Sequence, residues 1–312
     1  MKIDTTEKWL PLYEALASKV RLRVLNILAD KDMNIKDLAT ELNLSSAITT
    51  MHIKKLETAG LVTSERVYKN GAVQKICSLS MDSLEIEFPH KNSDIRSYHE
   101  FSLPVGHYTD FMVTPTCGLA TVESVIGYFD DPRYFMDPQR VNAAILWFTR
   151  GYVEYKVPNH LLAGQTPLEL EISLEIGSEA PGVNNNWPSN IMFSINNTSI
   201  GTWESPGDFG DKRGIFTPAW WPDSVNQYGM LKRIRINEDG TFIDGTKASD
   251  ISIKDIDIEN KLWSFKVSVC EDSGHVGGAT IYGAGFGNYD QDIEFKLYYS
   301  NPPTVEAEHG SK

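Results

Sequence analysis

Cysteine is scarce and long apolar runs are missing. Cys77, Cys117 and Cys270 lie far apart in the 312 residues, form no CxxC pair and are odd in number. Neither a disulfide framework nor a thiolate zinc cage is suggested, and three buried free thiols are expected. No stretch of about 18 apolar residues occurs, and the opening MKIDTTEKWLPLYEALASKV is charged throughout in place of an apolar signal region. A cytoplasmic protein without membrane contact is expected. Motifs of common enzymes are absent too: there is no hydrolase elbow, phosphate loop or HExxH, and no cofactor is implied. Gly-rich GGATIYGAGFGNYD (277–290) lacks the spacing of a dinucleotide-binding turn and reads as a strand-turn segment.

Positive charge is also in short supply. Lys and Arg number 29 against 42 Asp and Glu, a net charge of −13, which disfavours phosphate binding by the chain as a whole. The deficit is uneven. Residues 1–80 hold 12 basic and 9 acidic side chains, a balance of +3, while the remainder holds 17 against 33, a balance of −16. Only the first 80 residues suit nucleic acid.

That first part is patterned like a helical unit. From Glu7 to about Ala29, Leu12, Leu16, Val20, Val24 and Leu28 form one stripe with Leu25 beside it, predicting one or two helices. Asn34 caps a second pattern, Ile35, Leu38, Ala39 and Leu42, which closes near Asn43. Ser45 caps a third helix with Thr49, Ile53 and Leu56 on one side, and Gly60 supplies its left-handed stop. LVTSERVYKNGAVQKICSL then reads as two strands about Asn70-Gly71. Helix, helix, tight turn, helix and β-hairpin make a winged helix-turn-helix.

Residues 15–79, with ALASKVRLRVLNIL in the first helix, IKDLATELNLS at the turn and HIKKLETAGLV before the wing, resemble the ArsR-type transcriptional regulators over about a fifth of the chain. The resemblance implies sequence-specific binding of double-stranded operator DNA as a homodimer. It implies no thiolate metal sensing, because NIKDLATEL has none of the cysteines that metal-sensing members place there. A recognition helix offers short polar side chains to base edges, and basic residues hold phosphates. Ser45, Ser46, Ala47, Thr50, His52 and Lys54 fit the helix; Lys55, Arg66, Lys69 and Lys75 fit phosphate contacts. Ser45 equally serves as a cap alone, and each lysine or arginine as a solvated side chain.

MDSLEIEFPHKNSDIRS is polar and aperiodic and reads as a connector, giving divisions at 1–80, 81–100 and 101–303 with a disordered tail at 304–312. Beyond it, period-two alternation recurs in LELEISLEI (168–176), LKRIRIN (231–237), ISIKDIDI (251–258), LWSFKVSV (262–269) and IEFKLYY (293–299). The fold class is therefore α+β multidomain: a winged helix-turn-helix followed by a large all-β antiparallel sandwich, jelly-roll-like.

Trp187, Trp203, Trp220 and Trp221 sit in loop-like segments with Asn186 and Asn190 nearby, and flat rings beside amides are what a sugar needs. The same rings serve equally well as sandwich packing. The resulting expectation is a DNA-binding regulator, not an enzyme, whose sandwich senses a small effector such as a carbohydrate. Two alternatives stand beside it: a dimerisation or docking module, and a glycoside-processing domain using Glu204, Asp208 or Asp211. Asp208, Asp211, Asp290 and Asp292 are conceivable Ca2+ ligands but form no EF-type loop. His90, His99, His107, His160 and His275 are scattered and read as single structural histidines.

Overall fold

Periods of 3.6 before Gly60 and of 2 after Ser97 separate two architectures in the computed structural model. It describes residues 1–69, 72–81, 84–88 and 97–302, and divides the chain into Met1–Asp94 and Ile95–Lys312.

In the first unit the stripe from Glu7 is broken at Ala17, giving α1 (Leu10–Leu16) and α2 (Lys19–Asp30). Arg21 on α2 holds the elbow: it is buried, and its guanidinium donates to the carbonyls of Ala15 and Glu14 at 2.6 Å each. Those carbonyls belong to the last turn of α1, where no intrahelical donor exists. After β2 (Met33–Asn34) comes α3 (Ile35–Leu42), whose Asn34 side chain accepts from the Asp37 N–H and whose Asn43 turns left-handed at φ 57°. Ser45 caps α4 (Ser46–Thr58) by accepting from the Ile48 N–H, and Gly60 follows it at φ +73°. The wing is β3 (Val62–Lys69) and β4 (Ala72–Leu79), with Lys69 opposite Ala72. Asn70, Gly71 and the side chain of Lys69 lie outside the described residues. Val24, Leu28, Leu38, Leu42, Ile53, Leu56, Leu61 and Cys77 meet in one core. The stretch read as a connector holds β5 (Glu85–Glu87), which pairs in parallel with β1 (Lys2–Asp4), and the start of the next strand.

The second unit is β6 (Ser97–Leu103), β7 (Asp110–Ala120), β8 (Ile145–Pro158), β9 (Thr166–Gly177), β10 (Ser189–Ile195), β11 (Thr198–Ser205), β12 (Met230–Asn237), β13 (Gly240–Ile243), β14 (Thr246–Ser249), β15 (Leu262–Val269), β16 (Ala279–Tyr282) and β17 (Ile293–Ser300). Their pairings are antiparallel. One layer runs β7-β8-β15-β10-β11 and the other β6-β17-β9-β12-β13-β14; β16 joins them by pairing with β8 on one edge and β9 on the other. At the opposite side the layers meet again where the Ser249 hydroxyl donates to the Ile200 carbonyl at 2.7 Å, so the sandwich is nearly a closed barrel. Side chains from both layers fill the interior. Trp263 and Phe265 of β15 reach Phe295 of β17 at ring separations of 5.5 and 5.7 Å.

Two expectations need correction. ISIKDIDI is a run of turns, although Ile253, Ile256 and Ile258 are buried. Its backbone groups find partners outside any ladder: Ser252 N–H donates to the Asp255 carboxylate, Ile253 N–H to the Asn237 carbonyl, and the Ile256 carbonyl accepts from the Asn196 amide. A segment so satisfied can bury alternating apolar residues without being a strand. Cys270 is exposed, because it lies one residue past β15 where the chain turns outward; Cys77 and Cys117 are buried. The 304–312 tail lies outside the described residues.

Removing a ring shared between the layers should open a void that the stiff sheets cannot refill. Phe295→Ala is expected to cost the second unit about 3–5 kcal/mol, read as a drop in its urea midpoint followed by tryptophan fluorescence.

Candidate functional site

The turn between α3 and α4 is only Asn43, Leu44 and Ser45, which fixes how α4 is presented. Thr49, Ile53 and Leu56 point inward, and Ser46, Ala47, Thr50, Lys54 and Lys55 are exposed. The Thr50 hydroxyl donates to the Ser46 carbonyl at 2.7 Å, and Ser45 is engaged as the cap. His52 stands apart from this set: it is half-buried with its Nδ1 enclosed and unpartnered. Burial first, then the charges of Arg21 and Lys55, lower its pKa and keep the ring neutral near pH 7. Arg66 is exposed on β3, opposite Lys75. Lys75 is committed to Glu57 of α4, at 2.8 Å from one carboxylate oxygen and 3.0 Å from the other, and Ser64 also donates to that carboxylate. Burial opposes ionisation of Glu57, but the bonds from Lys75 and Ser64 outweigh it and hold the carboxyl below its ordinary range. Lys75 therefore braces the wing against α4.

The second unit does not gather the four tryptophans. Trp203 on β11 lies under the Lys232 ammonium, 4.6 Å from the ring centre, and packs on the main core. The indole N–H of Trp187 donates to the Glu179 carbonyl and that of Trp220 to the Val122 carbonyl, at 3.0 and 2.7 Å; both rings are partly exposed. Trp221 is buried among Trp147, Tyr282 and Phe286 on the outer face of β16. Asn186 is exposed, and Asn190 on β10 uses its N–H on the His275 carbonyl.

A cleft of about 250 Å3 opens instead beside Trp221, walled by Phe129, Trp147 and Trp221 and lined by Thr116, Asp130, Glu179 and Asn226. The rings stand steeply to one another, at 78° for Phe129 and Trp147, 70° for Trp147 and Trp221, and 71° for Phe129 and Trp221. Glu179 is only 6% exposed and accepts hydrogen bonds from Thr116 (3.0 Å), Asn226 (3.1 Å) and Thr280 (3.1 Å). Burial, and then the charge of Asp208, raise its pKa well above the ordinary carboxyl value. Asp208 is itself buried; that burial pushes its carboxyl up to about 7 against one bond from the Ala180 N–H, and its Oδ1 has no partner. Glu175 on β9 accepts N–H bonds from Gly229, Asn288 and Tyr289, yet burial pushes it up to about 7 as well. Sequence reasoning missed Glu179, Phe129, Trp147 and Asn226, which share no spacing signature.

Other candidates are dispersed. Glu204 lies 3.3 Å from His275 at the surface, Asp211 accepts from the Tyr228 hydroxyl at 2.6 Å, and Asp290 and Asp292 hold the N–H groups of Gly285 and Ala284. His99 and His160 approach to 6.4 Å between ring centres. Among the described residues no group of three or more His, Cys, Asp or Glu is arranged to hold a metal, and no helix is long and apolar enough to cross a membrane. His90 lies outside the described residues.

The first unit is thus a winged helix-turn-helix. Residues 18–64 match the family described as bacterial regulatory protein, arsR family, and this segment is an ArsR-family helix-turn-helix domain. An uncharacterized HTH-type transcriptional regulator of Methanocaldococcus jannaschii is 40% identical over 63 residues, 20% of this chain. The chain spans 66% of the length of that relative. HlyU from Vibrio cholerae N16961 and NolR from Sinorhizobium fredii are each 26% identical over 23% of this chain, covering 74% and 69% of their own, both with a TM-score of 0.21.

Glu175, Glu179 and Asp208 bind protons in the fold at pH values where the unfolded chain has lost them, so together they make stability fall as pH rises from about 4 through about 7. Asp130, Tyr282, Tyr289 and Cys117 are further titratable groups facing this cluster. The thermal midpoint of the second unit should be higher near pH 5.5 than near pH 8, and Glu179→Gln should shrink that difference in calorimetry.

Proposed function

We propose that the chain is a transcriptional regulator that binds double-stranded operator DNA as a homodimer in the cytoplasm, and that its β unit takes up a small effector. The carrying observation is the exposed face of α4, where Ser46, Ala47, Thr50 and Lys54 follow a three-residue turn inside the ArsR-family segment. Laid in the major groove, Ser46, Ala47 and Thr50 meet base edges, while Lys54, Lys55, Arg66 and Lys69 hold phosphates. Ser45 caps α4 and leaves the free N–H groups of the first turn for a phosphate. His52 contributes through the packing of α4 on α2, and Lys75 through the stance of the wing. The balance of +3 in residues 1–80 supports this unit, and no other part, as the DNA-facing one.

Trp187, with Asn186 and Asn190 close to it in sequence, and Trp220 are the rings on which a sugar effector would rest. Each ring is tied to a backbone carbonyl, however, and Trp203 and Trp221 are occupied in packing.

Selection from a random duplex library should return a two-fold symmetric site with half-sites spaced about 34–36 Å, one helical turn, or a multiple. Lys54→Ala should weaken binding to all duplexes alike and lower the salt slope by about 1; Thr50→Ala should relax preference at one base pair at a cost of about 1–3 kcal/mol. Failure to select any site would overturn the reading.

A further inference from the structure

We infer that the cleft between Phe129, Trp147, Trp221 and Glu179 is a binding site for a small organic cation, an amine with a short apolar body. Its use as the effector site rests on the regulator reading above; its chemistry does not. The cleft's ionisable side chains, Glu179 and Asp130, are both acidic, and no Lys, Arg or His lines it. Among the described residues neither carboxylate has a basic partner. The cleft has an aromatic wall, the exposed ring of Phe129 with the nearly buried rings of Trp147 and Trp221 packed against it, and an ammonium group over an aromatic face is attracted more strongly where water is excluded.

The hydrogen-bonding inventory separates a cation from a sugar. A sugar hydroxyl both donates and accepts, so its site needs both kinds of partner. Here the Thr116 hydroxyl and the Asn226 amide already donate to Glu179, and Asn226 also reaches Thr280. Among its side chains, what the cleft has left to offer an ammonium group are the oxygens of Glu179, once its proton has left, and of Asp130, whose Oδ1 also accepts from the Cys117 N–H at 3.0 Å. A cation donates only. The volume of about 250 Å3 lies at the small end for ligand pockets, room for a compact amine and not for an oligosaccharide.

The acid also explains how occupancy would register. Without a cation, burial and the charges of Asp208 and Asp130 favour protonated Glu179, and Tyr282 and Cys117 are the remaining titratable neighbours. An ammonium group arriving beside it reverses that preference, and the proton leaves to solvent.

The test uses the full chain without DNA. n-Butylammonium and tetramethylammonium are titrated at about pH 7.5 by tryptophan fluorescence, and by calorimetry in two buffers of different ionisation enthalpy, with n-butanol and glucose as neutral probes. Saturable binding of a cation with proton release, tightening as pH rises, is expected; the neutral probes should not saturate. Glu179→Gln can fold, since Oε1 accepts from Asn226 and Thr280 and Nε2 donates to the Thr116 hydroxyl, and it should weaken cation binding at least about tenfold. Asp130→Asn keeps the bond to Cys117 and tolerates φ +63°, and should weaken binding severalfold. Equal binding of glucose and cation, no saturation by either cation, or unchanged affinity in Glu179→Gln overturns the inference. DNA selection is run in parallel: a selected site without cation binding sinks only this inference, and cation binding without a selected site sinks only the regulator reading.

Discussion

A carboxyl group buried with no cation beside it governs the second unit. Isolating an ionised carboxylate from water costs so much that the group keeps its proton instead, unless donors converge on it. Glu179 receives three donors and Glu175 three backbone N–H groups, yet both remain raised because burial exceeds what those bonds return. Glu175 has a structural purpose. Its carboxylate gathers Gly229, Asn288 and Tyr289, and Gly287 at φ +75° passes so close that a Cβ there would meet its oxygens at 2.3 Å. It fastens two loops onto the outer face of β9. Glu179 fastens less, since its donors are side chains that a glutamine would serve equally well, and it borders open space.

The first unit shows the contrary design. Its buried arginine is used on helix-end carbonyls, the caps of α3 and α4 are engaged, and its wing is braced by Lys75 and Glu57. What is left exposed on α4 is mostly short, polar or basic, with Ile48 and Met51 as exposed apolar side chains among them. A surface free of structural duties is what a reading helix needs, because side chains committed within the protein cannot rotate toward a base edge. Lys75 and His52 show the converse: suitable residue types at suitable positions, already taken up by neighbours.

This contrast also explains what was legible. The helical unit could be read because signals agree locally: Asn34, Ser45 and Gly60 mark boundaries, and inward residues fall on one stripe. β9, β12, β15 and β17 showed period two because one side of each faces outward. β8 did not, since Ile145–Phe148 are buried on both sides and read as a plain apolar run. The alternation in ISIKDIDI misled because side-chain acceptors replaced a ladder. The cleft was illegible for a different reason. Phe129, Trp147, Glu179, Trp221 and Asn226 come from separate connections and one strand, and are brought together only where β16 bridges the two layers. Trp221 looked like a surface ring among Pro and Asp, but it is covered by Trp147 and Phe286.

Charge limits how such a cleft would speak to DNA. The residues after Ser80 carry a balance of −16, so one bound cation changes it by a single unit. At physiological salt the Debye length is about 8 Å, and a charge farther than that from the phosphates is largely screened. A tenfold change in operator affinity needs about 1.4 kcal/mol of coupling, which a screened single charge does not supply. In the proposed homodimer, coupling would then arise from a difference in how the two protomers are held, one arrangement matching the half-site spacing and binding the ligand more or less tightly than the other. The loop between β11 and β12 is suited to that conversion. It carries Asp208, Trp221 and Asn226, so deprotonating Glu179 changes the electrostatics and hydrogen bonding of the segment that covers it.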